Sequence, residues 1–335
     1  MSTPCRVECY RRDYSLRCWG QAVYTGFSYD YLTLETSTVT SVRKIYPGKG
    51  DFIKLVTAET TYDGVISDID NSGPNTVITM KPLESIFDVN IYRDRNGLKE
   101  MSLENFLKAL IEDARVSNAD TGANIPGIRF EIKSETNNAT LCLQDNILEI
   151  WNIAVKALKK YGVIILAKLE INGILVKIGT VDDSITIEAD GKNIISKSFS
   201  LQDDFGKTNT CLIINKKNEN QQARFYSEDY APPSVWEFKY VECEEAAFTE
   251  EAEKAASDLL SVSEFNNLIE IEVRQEDRIV TNRNVGCHAI IISKNMAIPS
   301  ILTGYELYQN GIVKLVFGAV RLDLSKILLI ERRNQ

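Results

Sequence analysis

Histidine is almost missing from this chain of 335 residues, which contains only His288. Most zinc sites and most nucleophile and base pairs use histidine, and many need two or more, so this shortage argues against most hydrolytic and metal-dependent enzymes. The motifs of serine hydrolases, zinc proteases, P-loop enzymes and dinucleotide-binding enzymes are missing as well. We therefore predict no catalytic residue, no cofactor and no metal site.

Long apolar runs and an excess of basic residues are also lacking. No segment approaches the ~20 consecutive apolar residues that span a bilayer, and the N-terminal residues lack the apolar core and cleavage site of a signal peptide. Lys and Arg number 38 against 47 Asp and Glu, and the resulting formal charge of −9 disfavours phosphate binding. The sequence therefore predicts cytoplasmic synthesis, no stable membrane insertion and no sequence-specific nucleic-acid binding.

The seven cysteines match neither a disulfide framework nor a metal site, because their number is odd and most lie far apart. Cys5, Cys9 and Cys18 are the closest group, but zinc generally needs a fourth ligand at compact spacing, so free thiols are predicted. Residues 68–73 match the first half of a calcium-binding loop. Because Thr79 stands where such loops carry glutamate, we predict a hairpin loop there instead.

Segments of alternating polarity with β-branched residues indicate strands up to about residue 92, and a comparable pattern returns after the last helix. The predicted fold class is α+β, with two small antiparallel β-barrels related by an internal pseudo-repeat, an α+β insert domain and an added helical segment. The predicted divisions are an N-terminal barrel at 1–100, an insert at 101–190, a second barrel at 191–245 and 265–335, and a helical segment at 246–264 attached to the second barrel.

Three amphipathic helices are predicted from apolar residues at helical spacing. The first begins after Ser102, which can cap its N-terminus. The second begins with an N-x-x-E pattern at Asn146 and Glu149 and ends at Gly162, and the third begins with Thr249 as a cap. After the second helix, Asn172 and Gly173 predict a two-residue β-hairpin turn.

An internal sequence similarity supports the pseudo-repeat, since three predicted strands with similarly placed glycines recur in the same order. The corresponding parts are 50–56 with 286–292, Gly64 with Gly304, and 75–80 with 310–317. Alternation with glycine is a common pattern, so two unrelated sets of strands remain the alternative.

The order of the parts resembles a known family. A β-barrel opens with YDGVISDI and TVITMKPL, an α+β insert follows, a long acidic helix leads into NNLIEIEVRQ, and a closing barrel contains GIVKLVFG. This arrangement resembles the tail-tip or baseplate hub proteins of tailed bacteriophages, and most closely the compact prophage tail proteins of Listeria-type siphophages. The resemblance covers nearly the whole chain. It rests on the order of the parts, their length and the polarity pattern of their segments.

The resemblance implies a homotrimer in the virion tail tip, in which each subunit contributes two similar barrels to a ring of six modules facing a six-fold tail tube. The implied partners are the tail tube or distal tail protein, the tape-measure protein, and distal fibre or receptor-binding proteins. DNA would pass through the ring, whose bore we expect to be acidic. The residues expected at the ring interface are Phe52, Ile53, Leu55, Val77, Ile78, Ile290, Ile292, Val313, Leu315 and Phe317.

Two other functions stay open on the sequence alone. A carboxylate-dependent cell-wall glycoside hydrolase could use the acidic cluster that contains Glu242 and Glu244 without any histidine. A carbohydrate-binding β module would need tryptophans that face solvent, and Trp19, Trp151 and Trp236 are widely separated in the sequence.

Overall fold

The computed structural model describes residues 5–318 with gaps, and this part of the chain contains 21 strands and three α-helices. The positions left out inside that range are 25, 58–60, 95–96, 99, 134, 140, 142, 144–145, 201–207, 228–229, 231, 233, 235, 261–266, 275–284, 295 and 309, together with the side chain of Asp258. The last part of the predicted second barrel, residues 319–335, lies outside the described residues.

The N-terminal unit is a closed six-stranded antiparallel barrel. Its strands alternate between buried and more exposed side chains, as in Val77–Pro82, where every second residue is buried. The strands of this part of the chain are β1 (Cys5–Tyr10), β2 (Leu16–Val23), β3 (Gly26–Asp30), β4 (Ser37–Ser41), β5 (Phe52–Val56), β6 (Thr61–Asp70) and β7 (Val77–Pro82). The order around the barrel is β1-β2-β4-β7-β6-β5, and β3 belongs to another sheet.

An α+β unit follows the barrel, and two helices pack on its three-stranded sheet. Its elements are β8 (Asn90–Tyr92), α1 (Leu103–Arg115), β9 (Ile128–Ile132), β10 (Ile147–Glu149), α2 (Ile150–Tyr161), β11 (Ile164–Glu170) and β12 (Gly173–Gly179). The sheet order is β11-β12-β9, with β12 parallel to β9, while β8 and β10 form a separate pair. One continuous apolar core joins this unit to the barrel and to the sheet described next.

The rest of the described chain forms two more sheets. Its elements are β13 (Ser184–Glu188), β14 (Ile194–Ser200), β15 (Thr210–Asn215), β16 (Asn218–Tyr226), β17 (Trp236–Val241), α3 (Phe248–Leu260), β18 (Leu268–Arg274), β19 (His288–Ser293), β20 (Met296–Tyr308) and β21 (Ile312–Gly318). The larger sheet has the order β13-β19-β20-β21-β18-β14, and β3 pairs with β20 off this path. The smaller sheet has the order β16-β15-β17 and is covered by α3.

The larger sheet repeats the barrel in chain order and in sheet order. The barrel reads β2-β4-β7-β6-β5-β1, and the larger sheet reads β14-β18-β21-β20-β19-β13. The first five strands pair antiparallel in both units. The sixth position differs, because β1 is antiparallel to β5 whereas β13 is parallel to β19. The pseudo-repeat is thus confirmed for strand order. The second unit is a half-barrel, since no pairing of β13 with β14 closes it among the described residues.

The sheet topology corrects the predicted divisions at two places. β13, assigned to the insert, belongs to the half-barrel. The strands between 210 and 241, assigned to the second barrel, form their own sheet with α3 and have a separate apolar core. Sequence pattern could not reveal either point, because alternation shows which face of a strand is buried but not which sheet the strand joins. The helical segment therefore belongs to this small unit rather than to the half-barrel.

Local start signals were right for the first helix and wrong for the other two. Ser102 caps α1 by accepting a hydrogen bond from the Asn105 N–H at 3.3 Å. The Asn146 region instead begins β10, so α2 starts at Ile150, although it ends as predicted at Gly162 with φ of 67°. A short 3-10 turn at 245–247 leads into α3, which begins before Thr249.

The predicted hairpin turn is displaced by one residue. Glu170 pairs with Gly173, so the two-residue loop consists of Ile171 and Asn172. Gly173 is needed for another reason, because an added Cβ would lie 2.1 Å from the Gly127 carbonyl oxygen. The hairpin loop predicted between β6 and β7 is confirmed, and there the Ser72 N–H donates to Asp70 Oδ1 at 2.8 Å.

Candidate assembly surfaces

Burial decides which of the predicted ring-interface residues can contact another chain. Seven of the ten have buried side chains within this chain, namely Phe52, Ile53, Leu55, Ile78, Val313, Leu315 and Phe317. Six of them lie in the interiors of the barrel and of the half-barrel, where strand alternation directs them, whereas Phe52 points to the opposite face of β5 from Ile53 and stacks on Tyr14. Ile290 is 47% exposed, and Val77 and Ile292 are partly buried. These three are the members of the set whose side chains can contact another chain.

Several of the exposed large apolar side chains among the described residues lie together on the small β16-β15-β17 sheet. Cys211 and Ile213 of β15 point towards α3 and belong to its core. The other face of the sheet is open and carries large aromatic side chains at alternate positions. We call it the aromatic face, formed by Arg224, Tyr226, Tyr230, Trp236, Phe238 and Tyr240.

The aromatic side chains contact one another instead of standing alone. Trp236 and Phe238 lie with ring centroids 6.3 Å apart and planes 20° from parallel, and the Arg224 guanidinium lies 4.6 Å from the Trp236 ring. Tyr226 and Tyr230 pack edge to face at 5.0 Å. Phe238 nevertheless remains 63% exposed. Trp, Tyr and Arg are the residue types most enriched where protein interfaces gain their binding energy, so this face has the composition of a binding surface.

This face was missed in the sequence analysis, although a signal for it was present. Residues 236–240 read Trp-Glu-Phe-Lys-Tyr, so every aromatic residue falls on one side of the strand. An amphipathic strand normally turns its apolar side inward. Here β17 runs parallel to β15 with Leu212 beside Phe238, and α3 covers the opposite side, so the aromatic side faces outward.

The acidic cluster proposed for glycosidic cleavage is arranged as surface ion pairs. Glu242 lies 3.4 Å from Lys216, and Glu244 lies 2.6 Å from Lys217. The hydrogen bond and charge of Lys217 lower the pKa of Glu244 below its ordinary value. A general acid needs the opposite shift, so Glu244 does not have the electrostatics of a glycosidase general acid.

A second group of polar residues lies buried where the barrel meets the α+β unit. One edge of β11 presents three N–H groups to the barrel segment, and each finds a side-chain acceptor. The Ile165 N–H donates to the Tyr31 hydroxyl at 3.0 Å, the Ala167 N–H to Glu84 Oε1 at 2.9 Å, and the Leu169 N–H to Asp63 Oδ2 at 2.8 Å. The side chains therefore satisfy the N–H groups of a sheet edge that would otherwise be left unpaired. We call this junction of β11 with Tyr31, Asp63 and Glu84 the β11 seam.

Burial perturbs the acids of the β11 seam. It raises the pKa of Glu84 to about 7, although the hydrogen bond from Ala167 opposes the shift. It also raises the pKa of Asp63, with the charge of Lys54 opposing. The Lys54 ammonium donates to the Leu169 carbonyl at 2.9 Å, which ties it to the same junction. Lys54, Asp63 and Glu84 each make a hydrogen bond to β11, so they hold the barrel segment against the α+β unit.

The part of the chain that the structure describes shows no group of three or more His, Cys, Asp or Glu side chains arranged to hold a metal ion. Across the same residues, each helix is too short or too polar to cross a membrane.

The architecture matches that of phage tail proteins of known structure. The tail protein from Neisseria meningitidis MC58 superposes with a TM-score of 0.54 at 11% identity, covering 94% of this chain and 96% of that one. The 43 kDa tail protein of prophage MuSo2 from Shewanella oneidensis gives 0.55 at 9% identity, covering 95% and 98%. A chain of the phage P2 baseplate in its activated conformation with Ca gives 0.56 at 11% identity, covering 95% and 100%. No family model matches the sequence, and a search of curated proteins finds no match.

The fold of this chain is therefore the one that these phage tail and baseplate proteins share. The expected resemblance is confirmed for the fold, including its barrel, its half-barrel and its few helices. The particular likeness to Listeria-type prophage tail proteins stays a prediction.

Proposed function

We propose that this protein is a structural component of a phage tail tip, in which three copies form a ring that joins the tail tube to the distal, host-contacting parts. The observation that carries the proposal is the repeat of six strands, which gives each chain two similar units in one chain order and one sheet order. Three chains then present six related modules. Such a ring joins three-fold to six-fold symmetry without a separate adaptor.

Charge supports passage of DNA through this ring. Each chain carries a formal charge of −9, so a trimer is strongly acidic as a whole. An acidic bore repels phosphate groups and lets a duplex slide through it instead of binding. The partners in this role are the tail tube or distal tail protein, the tape-measure protein, and distal fibre or receptor-binding proteins, within a virion assembled in the bacterial host.

The proposed ring is tested by the mass of the protein in solution. Light scattering over the whole soluble concentration range is expected to show a species of three 37.7-kDa chains, and negative-stain images should show six lobes around a hole. Ile290→Asp, placed on the half-barrel strand with an exposed apolar side chain, is expected to weaken this association. A protein that remains monomeric throughout, and that is present in one copy per purified tail tip, contradicts the proposal.

The aromatic face is the surface through which we propose that a neighbouring tail protein binds. The double variant Trp236→Ser, Phe238→Ser is expected to fold normally, because both rings are exposed, but to reduce incorporation into tail tips about 100-fold or more. The measurement is the amount of this protein in tails purified from cells that express the tail genes of the same phage.

The control for this variant is Tyr92→Ser, which removes a 78% exposed aromatic ring from β8, outside the aromatic face. Incorporation should be unchanged in the control. Equal incorporation of the double variant and the control would show that the face is not used in assembly. Retained incorporation together with lost binding to cell-wall glycans would instead favour the carbohydrate-binding function.

A further inference from the structure

Two cysteines of the barrel lie directly opposite each other on neighbouring strands. Cys9 of β1 pairs with Cys18 of β2 in the antiparallel ladder, and the register shifts immediately beyond them at Tyr10. Residues paired in this way have Cα atoms about 4.5–5.5 Å apart, which lies within the range that a disulfide bond spans. Directly opposed residues of an antiparallel pair send their side chains to the same face of the sheet, so the two thiols are neighbours.

The two thiols differ in access and in acidity. Cys9 is fully buried, while Cys18 is partly exposed at the surface of the barrel. The neighbouring Cys9 thiol lowers the pKa of Cys18 to about 7 against the opposing effect of burial, and the Tyr46 backbone and the charge of Arg17 also lower it. The same contact, followed by burial, raises the pKa of Cys9. Cys18 is thus the accessible nucleophile and Cys9 the protected partner, an arrangement typical of reactive dithiols.

We propose that Cys9 and Cys18 form a redox-active dithiol site, which a small disulfide such as oxidised glutathione converts into a disulfide bond across β1 and β2. The Cys18 thiolate attacks one sulfur of the oxidant, forming a mixed disulfide and releasing one glutathione thiolate. Cys9 then loses its proton, and its sulfur attacks Cys18 and expels the second glutathione thiolate. Two electrons pass from the cysteines to the oxidant, and the two protons of the cysteines end on the two glutathione molecules.

The position of the pair gives the reaction a structural consequence. The β1–β2 hairpin ends in a loop whose Tyr14 ring stacks on Phe52 at 5.5 Å, and the Tyr14 hydroxyl donates to the Pro126 carbonyl of the α+β unit. A bond between Cys9 and Cys18 locks the two strands next to this loop, while the loop itself rests on two other parts of the chain. Because the barrel wall includes both strands, oxidation cross-links the barrel itself.

The test is peptide mapping of the full-length protein after incubation in a glutathione redox buffer. Trypsin places Cys9 in the peptide 7–11 and Cys18 in the peptide 18–43. We expect these peptides to be recovered as one linked species, lighter by two hydrogen atoms than their sum, and to separate after reduction. Cys9→Ser should trap a glutathione adduct on Cys18, and Cys18→Ser should yield neither product.

The matched control is Cys5→Ser, because Cys5 is a buried cysteine of the same strand that stands opposite Ala22 rather than a cysteine. This variant should form the linked peptide as readily as the wild type. A wild-type protein that keeps a stable glutathione adduct on Cys18, or that leaves both thiols unmodified while denatured protein reacts, would overturn the proposal. The result does not depend on the oligomeric state or on incorporation into tails, so it can fail or succeed independently of the proposed function.

Discussion

The free energy of unfolding of this protein is expected to fall by roughly 3 kcal/mol as the pH rises from 4.5 to about 7. The cause is Glu84, which is buried in the β11 seam and whose pKa rises from its ordinary value of 4.5 to about 7. Between these two pH values the folded protein holds a proton that the unfolded chain releases. The stability from this group is therefore fully present below pH 4.5 and is lost as the pH rises through about 7.

The neighbours of Glu84 do not reverse this trend. Asp63, the other seam acid, has a raised pKa and so changes stability in the same direction. Burial raises the pKa values of Tyr29, Tyr31 and Tyr62, so these hydroxyls titrate well above the window. The charge of Lys54 opposes the rise in the pKa of Asp63 without cancelling it.

Urea unfolding at a series of pH values measures the effect, and two variants isolate it. Glu84→Gln keeps an oxygen that can accept the Ala167 N–H but removes the titration, so its stability profile should be flatter by most of the expected fall. Asp68→Asn is the control, because this carboxylate of β6 has a side chain 73% exposed and should leave the slope unchanged. A Glu84→Gln profile as steep as that of the wild type would rule out Glu84 as the cause.

The second large effect is expected from Gly304→Ala, which should destabilise the protein by about 2–3 kcal/mol or prevent correct pairing of β3 with β20. An added Cβ at Gly304 would lie 2.6 Å from the Tyr29 carbonyl oxygen and 3.3 Å from the Asp30 Cα. Both atoms belong to the backbone of β3, so a side-chain rotation cannot relieve the contact. This pairing joins the barrel segment of the chain to the half-barrel, so the strain falls on the contact between the repeated units.

The matched control is Gly73→Ala in the β6–β7 loop, where nothing lies within 4 Å of an added Cβ. Urea midpoints at unchanged m-value report the difference between the two variants. Gly64→Ala provides a parallel test in the barrel, because an added Cβ there would lie 2.5 Å from the Lys81 carbonyl oxygen. Equal midpoints for Gly304→Ala and Gly73→Ala would show that β3 can move away without cost.

Local sequence signals succeeded where one short segment decides the structure. The Ser102 cap and the Gly162 terminus follow from the backbone groups of a single helix end, and the structure has both. The three recurring strands follow from the sequence because the alternation of polar and apolar residues survives in a strand whatever its partner. The helix start predicted at Asn146 was wrong because a distant partner decides this segment. Leu148 pairs with Ile91 of β8, so the segment forms a strand and the helix begins only after it.

The sequence by itself determined the α+β class, the recurrence of strands and the absence of any familiar catalytic motif. Composition, periodicity and motifs are properties of short segments, so they do not depend on which distant residues come into contact. Only the tertiary structure decided that β15, β16 and β17 leave the repeat to form their own sheet and expose an aromatic face. It alone also buried Glu84 at the β11 seam and set Cys9 against Cys18. These features depend on which strands pair and in what register. The energy of strand pairing comes from contacts between residues that are far apart in the chain, so a local sequence pattern does not reveal it.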